Sequence, residues 1–165
     1  MLSLRPAAAE DLELVQRWDE EPDVVASDPD DDWQWDVELR RNPTWREQLI
    51  AEIDGRPIGF VQIIDPAEEE SHYWGEIAAG FRAIDLWIGE ASDRGQGYGT
   101  EIMRQSLVRC FANPEVTAVL VDPLAVNLRA RQFYERCGFR AVGPRQFGSS
   151  ACMVYQLDRV RFAAD

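Results

Sequence analysis

The sequence is poor in the residues that build cross-linked or metal-bound scaffolds. It has three cysteines, Cys110, Cys137 and Cys152, and one histidine, His72. An odd number of widely spaced cysteines does not support a disulfide framework, and a single histidine does not support a zinc site. We therefore expect reduced, mostly buried thiols and no bound metal, and we assign His72 no role.

The sequence also lacks a basic-then-apolar leader and any long apolar run. Met1 to Pro6 leads directly into acidic sequence, and no run approaches the roughly 20 apolar residues that span a membrane. The 165 residues suffice for one sizeable core but fall short of the length at which chains usually divide. We expect a single cytoplasmic domain over residues 1–165, a monomer or homodimer, with no membrane partner.

Positive charge is scarce relative to negative charge. Seventeen basic side chains are outnumbered by thirty acidic ones, which gives a formal charge of −13. Such a chain repels nucleic acid and anionic lipid, and it attracts cationic partners. Composition leaves open whether the excess acid binds a cationic substrate or only keeps the protein soluble.

Hydrophobic periodicity predicts alternating strands and helices along the chain. Strands are expected near residues 2–5, 48–53, 57–64, 83–89, 117–121, 141–147 and 151–157. Helices are expected near residues 8–18, 37–41, 97–111 and 126–137. The dipeptide Asp54-Gly55 indicates a tight hairpin turn, whereas residues 20–36 look too polar for a core and indicate a structured surface loop. The order predicts an α/β (α+β) fold, with a mixed sheet of about seven strands flanked by about four helices.

A glycine-rich segment lies between the fourth predicted strand and the helix after it. It reads Asp93-Arg94-Gly95-Gln96-Gly97-Tyr98-Gly99-Thr100. Its glycines allow a close approach of backbone to ligand, and N–H groups at a helix start attract anions. Arg94 adds a full positive charge, so the segment favours a pyrophosphate held mainly by main-chain donors. Three glycines before a helix also occur in ordinary turns, and the spacing is neither that of a P-loop nor that of a dinucleotide fingerprint.

Two motifs in this order resemble those of the GNAT N-acetyltransferases. Arg94, Gly97 and Gly99 match the motif Gln/Arg-x-x-Gly-x-Gly/Ala. Residues 127–139, which contain Asn127, Tyr134 and a terminal Gly-Phe, resemble the family's Asn…Ala…Phe-Tyr…Gly-Phe block. The resemblance covers almost the whole chain in element order and about residues 85–139 in close detail. It implies a GNAT fold, with a mostly antiparallel sheet splayed between strands 4 and 5.

The resemblance also implies acetyl transfer from acetyl-CoA to an amine. Backbone groups at Trp87, Ile88 and Gly89 would contact the pantetheine arm. The pyrophosphate would be bound by the loop residues Arg94, Gly95, Gln96, Gly97, Tyr98, Gly99 and Thr100. Asn127 matches a position that contacts the coenzyme A arm, although an asparagine there also suits the cap of the following helix.

Residues 84–139 contain Ile84-Asp85, the segment Asn113 to Thr117 and Asp122-Pro123. With these features they look most like the aminoglycoside 6'-N-acetyltransferases within this superfamily. That subgroup implies that Asp85 holds the reactive ammonium and removes its proton, because only an unprotonated amine attacks a thioester. It implies that Tyr134 protonates the departing thiolate and that Asp122 contacts the substrate. Each residue also has a structural alternative, namely an ion pair for Asp85, core packing for Tyr134 and a turn for Asp122.

Two acidic and aromatic segments, residues 27–35 and 68–76, fit a polycationic small-molecule amine. Carboxylates attract amines, and indole faces carry sugar rings or cations. We select Glu70 and Trp74 as further substrate-binding residues, although a charge run is often only a solvated loop. The N-terminal third and the final strands match the subgroup poorly, so fewer residues support the identity of the acceptor than support the identity of the donor.

The sequence leaves two other functions open. One is acetylation of a different amine, such as a polyamine, a hydroxylysine-like siderophore precursor or a protein N-terminus, which needs a similar acidic pocket. The other is a non-catalytic acyl-CoA-binding module, which keeps the glycine loop but does not need Asp85 or Tyr134. The presence of both residues favours an enzyme.

Overall fold

The computed structural model describes residues 1–164, which form one seven-stranded sheet with helices on both faces. The strands are β1 (Leu2–Pro6), β2 (Arg46–Ile53), β3 (Arg56–Ile64), β4 (Phe81–Ile88), β5 (Ala118–Val121), β6 (Arg140–Phe147) and β7 (Ser150–Asp158). The helices in the described residues are α1 (Leu12–Asp19), α2 (Pro22–Ser27), α3 (Trp35–Glu38), α4 (Tyr98–Ala112), α5 (Leu128–Arg136) and α6 (Arg159–Ala164).

The sheet has the strand order β1-β2-β3-β4-β5-β7-β6, and β4 with β5 is its parallel pair. These two strands are in register only from Phe81 opposite Ala118 to Ala83 opposite Leu120. Beyond Ala83, β4 continues to Ile88 while β5 ends at Val121, so the sheet opens along one edge of β4. The expected mixed sheet of about seven strands, mostly antiparallel and splayed between strands 4 and 5, is confirmed.

The hairpin between β2 and β3 forms where the sequence predicts it. Asp54 has φ 49° and Gly55 has φ 83°, so both turn residues are left-handed. This is the conformation that a two-residue type I′ turn requires, and its twist matches that of the two strands.

Alternate strand residues divide the apolar core between the two faces of the sheet. Leu49 and Val61 pack on the face that α4 covers, where Met103 is buried. Ile50 and Phe60, the neighbouring residues along the same strands, pack on the opposite face with α1 and α3. The period of two in the strands therefore sets which helix each residue meets.

The structure corrects three expectations about the helices. Residues 20–36 were expected to form a polar surface loop, but they contain α2 and bury Trp35, which is 4% exposed. The indole of Trp35 stacks on Trp33 at 5.0 Å, because burying so large an apolar ring outweighs the polarity of its neighbours. The helix predicted at 37–41 is α3, which starts earlier, and α6 was not predicted. The described residues thus contain six α-helices rather than about four.

A direct contact with α1 fixes the end of β4. Trp18 is fully buried, and a Cβ on Gly89 would lie 2.1 Å from its indole Cε2. No side chain fits between them, so only glycine allows this approach. The open edge of β4 is thereby held at a constant position beside the loop that follows.

Candidate active site

The glycine-rich loop forms a row of unpaired main-chain donors at the start of α4. Gly95 and Gly97 have φ of 72° and 82°, which turns the chain sharply into the helix. In the described part of the chain, the N–H groups of residues 95–100 have no hydrogen-bond acceptor. Six consecutive donors at the N-terminus of a 15-residue helix form a site for an anion with several oxygens.

Arg94 is placed differently from the expectation. Its guanidinium is only 14% exposed and forms an ion pair with Asp23 of α2. It also donates to the carbonyl oxygens of Ile88 and Gly89, each at 3.3 Å. An anion at the loop therefore meets main-chain N–H groups rather than a free guanidinium, and Arg94 links the loop, the end of β4 and α2.

Asn127 caps α5, which is the structural role that the sequence also suggested for it. Its side-chain Oδ1 accepts a hydrogen bond from the backbone N–H of Ala130 at 3.1 Å. This bond satisfies one of the donors that the helix start leaves free. The side chain also lines a large cavity next to the open edge of β4. Contact with coenzyme A stays a prediction.

This cavity has a volume of about 670 Å³ and is strongly acidic. Its carboxylates come from α1, α3, β4, the end of β5 and two loops. They are Asp19, Asp28, Asp30, Asp31, Asp32, Glu38, Glu69, Glu70, Asp85 and Asp122. The basic side chains in its wall, Arg41 and Arg46, are both paired with Glu38. The remaining charge makes the cavity suitable for a polycation.

Asp85 lies at the end of a row of polar side chains that crosses three strands. Gln48, Gln62 and Asp85 are opposite one another in β2, β3 and β4. Gln48 Nε2 donates to Gln62 Oε1 at 3.0 Å, and Gln62 Nε2 donates to Asp85 Oδ2 at 3.3 Å. Burial, followed by the charges of Asp122 and Asp31, raises the pKa of Asp85 to about 8. A carboxyl in this state gains strongly from a cation placed beside it.

Asp122 follows β5 and is held by a residue that the sequence did not single out. The Tyr73 hydroxyl donates to Asp122 Oδ2 at 2.6 Å. Burial raises the pKa of Asp122 above its ordinary value, while the Tyr73 hydrogen bond and the charge of Arg145 oppose that rise. Asp122 is therefore not only a turn residue, because its carboxylate borders the same cavity as Asp85.

Tyr134 is brought to this cavity from α5. Its side chain is 8% exposed and packs in the main core, yet it also lines the cavity. Burial, together with the charges of Asp85 and Asp122, raises the pKa of the Tyr134 hydroxyl. The phenol is therefore protonated at neutral pH and is available as a proton donor.

Glu70 and Trp74 both line the cavity, but in different ways. Glu70 is exposed and pairs with Arg41 at 2.8 Å. Trp74 is only 4% exposed, and the guanidinium of Arg145 lies 5.7 Å from its ring centroid. Trp74 is therefore part of the packed wall rather than an open indole face. His72 has a left-handed backbone, with φ 55°, and does not line the cavity.

Several cavity residues were not singled out from the sequence. Gln62 was detectable as an isolated polar residue in the apolar strand Pro57–Ile64. Tyr73 lies in the acidic segment beside Trp74. Trp33 lines the cavity, and its ring meets Trp87 edge-on with the ring centroids 5.2 Å apart. The signal for Trp33 was its acidic neighbourhood, but its contact with β4 depends on the fold.

Residues 1–164 contain no helix long and apolar enough to cross a membrane. In the same range, no group of three or more His, Cys, Asp and Glu side chains is arranged to hold a metal ion.

Comparison with known proteins agrees with this arrangement. The family model for the acetyltransferase (GNAT) domain matches residues 7–147. Aminoglycoside N(6')-acetyltransferase type 1 of Klebsiella pneumoniae is 38% identical over 95 residues, 57% of this chain and 47% of that protein. The kanamycin resistance protein of Rhizobium radiobacter is 40% identical over 76 residues, 46% of this chain and 70% of that protein.

Solved structures extend the similarity to the full fold. Aminoglycoside acetyltransferase AAC(6')-Ib in complex with coenzyme A and kanamycin superimposes with a TM-score of 0.86 at 28% identity. The match covers 99% of this chain and 98% of that one. The alignment with the Klebsiella relative spans about half the length of that protein. The family model covers most of the sequence, and the chain belongs to the GNAT acetyltransferase family.

Proposed function

We propose that the protein transfers the acetyl group of acetyl-CoA to an amine of a polycationic small molecule, specifically the 6'-amine of an aminoglycoside. One observation carries the proposal: a 670 Å³ cavity with ten carboxylates opens beside the splayed edge of β4. The anion-binding row of N–H groups lies at the loop that follows the same strand. A polyanionic donor and a polycationic acceptor thus have separate sites near one strand end.

The donor would lie across the loop and the open edge of β4. Residues 95–100 offer their N–H groups to the pyrophosphate of acetyl-CoA. The unpaired edge of β4 at Trp87 to Gly89 is available to the pantetheine arm, although Arg94 engages the carbonyls of Ile88 and Gly89. Asn127 lies next to this path at the start of α5. Because acetyl-CoA is an intracellular metabolite, the proposal places the reaction in the cytoplasm.

Acetyl-CoA supplies the acetyl group as a thioester, which an unprotonated amine attacks. Asp85 binds the acceptor ammonium and takes its proton, which frees the nitrogen lone pair for the new N–C bond. Tyr134 donates its hydroxyl proton to the sulfur as the C–S bond breaks, and the second proton lost by the acylated nitrogen restores the Tyr134 hydroxyl. Asp122 and Glu70 hold other ammonium groups of the acceptor, and Trp74 supports the wall behind them.

The raised pKa of Asp85 suits this role. A carboxylate with an ordinary pKa is a weak base for an ammonium, whereas one with a pKa near 8 is better matched. The polycation itself supplies the charge that ionises the cavity as it binds. The acidic wall therefore contributes to acceptor affinity, and in the free enzyme its charges raise the pKa of Asp85.

A thiol-release assay with acetyl-CoA tests the proposed function. The panel contains kanamycin, spermidine and basic peptides, together with an aminoglycoside that has a hydroxyl in place of the 6'-amine. We expect turnover of kanamycin and a large loss with the 6'-hydroxyl compound. The chain contains no lysine, so its own side chains contribute no competing amine. Turnover of spermidine or peptides without kanamycin would assign the enzyme to another amine, and no turnover at all would favour a binding module.

A further inference from the structure

Tyr73 makes the shorter of the two side-chain hydrogen bonds that Asp122 and Asp85 receive. It lies on the loop between β3 and β4, and its hydroxyl donates to Asp122 Oδ2 at 2.6 Å. The residue is 47% exposed, so its position is not a consequence of core burial. An exposed aromatic ring that points its hydroxyl at an acidic cavity needs another reason for its placement.

The loop backbone holds Tyr73 in this position. The Glu69 carboxylate accepts hydrogen bonds from the N–H groups of Ser71 and Tyr73, each at 3.1 Å. The Gly75 N–H donates to the carbonyl of His72 at 2.8 Å, and both of these residues are left-handed. Two turns therefore bracket Tyr73 and limit the directions in which its side chain extends.

The ring of Tyr73 is fixed by a layer of side chains. It stacks on Phe147 with centroids 4.5 Å apart and planes 4° apart, and it meets Trp74 edge-on at 5.9 Å. The Arg145 guanidinium lies 4.7 Å from the Phe147 centroid and donates to the Trp74 carbonyl at 2.8 Å. Stacking fixes the ring plane, so the hydroxyl reaches Asp122 at little cost in conformational entropy.

The carboxylates of Asp122 and Asp85 are consequently held in different ways. Asp122 receives a short hydrogen bond from the Tyr73 phenol and lies in the field of Arg145. Asp85 receives one longer bond, 3.3 Å, from the amide of Gln62. A hydrogen bond donated to a carboxylate favours its charged form, so the better-supported carboxylate ionises first.

We propose that Tyr73 is a positioning residue: it occupies one oxygen of Asp122 and orients the carboxylate as a fixed charged anchor for an acceptor ammonium. Asp85 is then the carboxylate that exchanges the proton. This inference rests on the proposed function, because the roles of both aspartates belong to it. Tyr73 acts through Asp122 and need not touch the reacting atoms.

Asp122 is influenced by charged and titratable groups from every surrounding element. They are Tyr73 of the loop, Arg145 of β6, Cys152 of β7, Tyr134 of α5, Asp85 of β4, and Asp28 and Asp31 after α2. Among them, Tyr73 is the group whose side chain donates a hydrogen bond to Asp122. Removing its hydroxyl isolates this one interaction.

The test is Tyr73→Phe, which keeps the stacked ring and removes only the hydroxyl. We expect KM for kanamycin to rise about tenfold, equivalent to about 1.4 kcal/mol, with kcat changed less than about twofold. Tyr155→Phe is the control, because it removes a hydroxyl that binds Glu135 and Arg131 outside the cavity. The control should leave KM for kanamycin near its parent value. An unchanged KM in Tyr73→Phe overturns the proposal.

A second measurement needs no turnover. Titration of the Asp122 carboxyl carbon by NMR, assigned with Asp122→Asn, should give a pKa about one unit higher in Tyr73→Phe than in the parent. No difference in this titration contradicts the positioning role even if the acceptor is not an aminoglycoside. Failure of the parent to acetylate kanamycin, with the NMR shift present, instead rejects only the proposed acceptor.

Discussion

At the scale of single residues, the acidic cavity holds two aspartates in unequal environments. Asp85 is supported by Gln62 alone, and burial beside other carboxylates raises its pKa to about 8. Asp122 is supported by Tyr73 and by the field of Arg145, which limits the corresponding rise. Under the proposed function this difference would separate proton transfer from charge anchoring, and it can be examined one side chain at a time.

Asp85→Asn tests the assignment of the base. The amide cannot accept the ammonium proton, so we expect kcat/KM to fall at least about a hundredfold. Acetyl-CoA affinity, measured by calorimetry, should stay within about twofold because the loop at residues 95–100 is unaltered. Asp36→Asn, on an exposed position outside the cavity, is the matched control. Full activity in Asp85→Asn would remove Asp85 from the mechanism.

The pH profile follows from the direction of the Asp85 shift. A raised pKa means that the free enzyme gains its carboxylate only as pH rises, so kcat/KM should increase with pH up to about 8. Gln62→Leu removes a donor that lowers this pKa, so the rising limb should move to higher pH. Because the same acceptor is used with the parent and with Gln62→Leu, titration of the acceptor amine affects both profiles equally. A limb that moves to lower pH contradicts the assignment.

At the scale of secondary-structure elements, the ends of helices and strands build both sites. The start of α4 supplies the N–H row, and the end of β4 supplies the open edge. The start of α5 is different, because its first donors are partly satisfied by Asn127. A helix end that is already capped has less capacity to bind an added anion.

Substitutions at Asn127 separate capping from cofactor binding. Asn127→Ala removes the hydrogen bond to Ala130, so we expect a loss of about 1 kcal/mol of stability. For a chain of this length that corresponds to a fall in Tm of about 2–4 °C. Asn127→Asp retains the cap and should keep Tm close to the parent. If the side chain also contacts coenzyme A, both variants raise KM for acetyl-CoA, whereas a cap alone raises it in neither.

At the scale of the whole molecule, the distribution of charge divides the two ligands. The formal charge of −13 opposes an anionic donor, yet the N–H row offers local partial positive charge that the loop does not neutralise. The excess carboxylates are concentrated in the acceptor cavity. Under the proposed function, a cationic acceptor would be attracted over a long range, whereas the donor would be held by short-range hydrogen bonds.

This division predicts different salt dependences for the two substrates. The Debye screening length is about 10 Å at 0.1 M ionic strength and about 3 Å at 1 M. KM for kanamycin should therefore rise several-fold as sodium chloride is increased from low to high concentration. KM for acetyl-CoA should change less over the same range. Equal increases in both constants would contradict the separation of charge.

The sequence by itself determined the order of the seven strands and the position of the glycine-rich loop. Strand alternation, the Asp54-Gly55 turn and the apolar stripe of α4 are local patterns, so hydrophobic periodicity and turn chemistry were enough to predict them. Residues 94–99 and 127–139 are contiguous motifs, and the GNAT family could be identified from them. Asp85, Asp122 and Tyr134 came from the same resemblance rather than from any local pattern.

The tertiary structure alone decided what surrounds those residues. Tyr73 meets Asp122 across 49 positions of sequence, and Gln62 reaches Asp85 only because β3 and β4 are in register. Arg94 pairs with Asp23 instead of facing solvent, and the polar stretch 20–36 buries Trp35. Both results depend on contacts between residues that are distant along the chain. Hydrogen-bond partners and pKa shifts depend on such contacts, which the folded chain alone brings together.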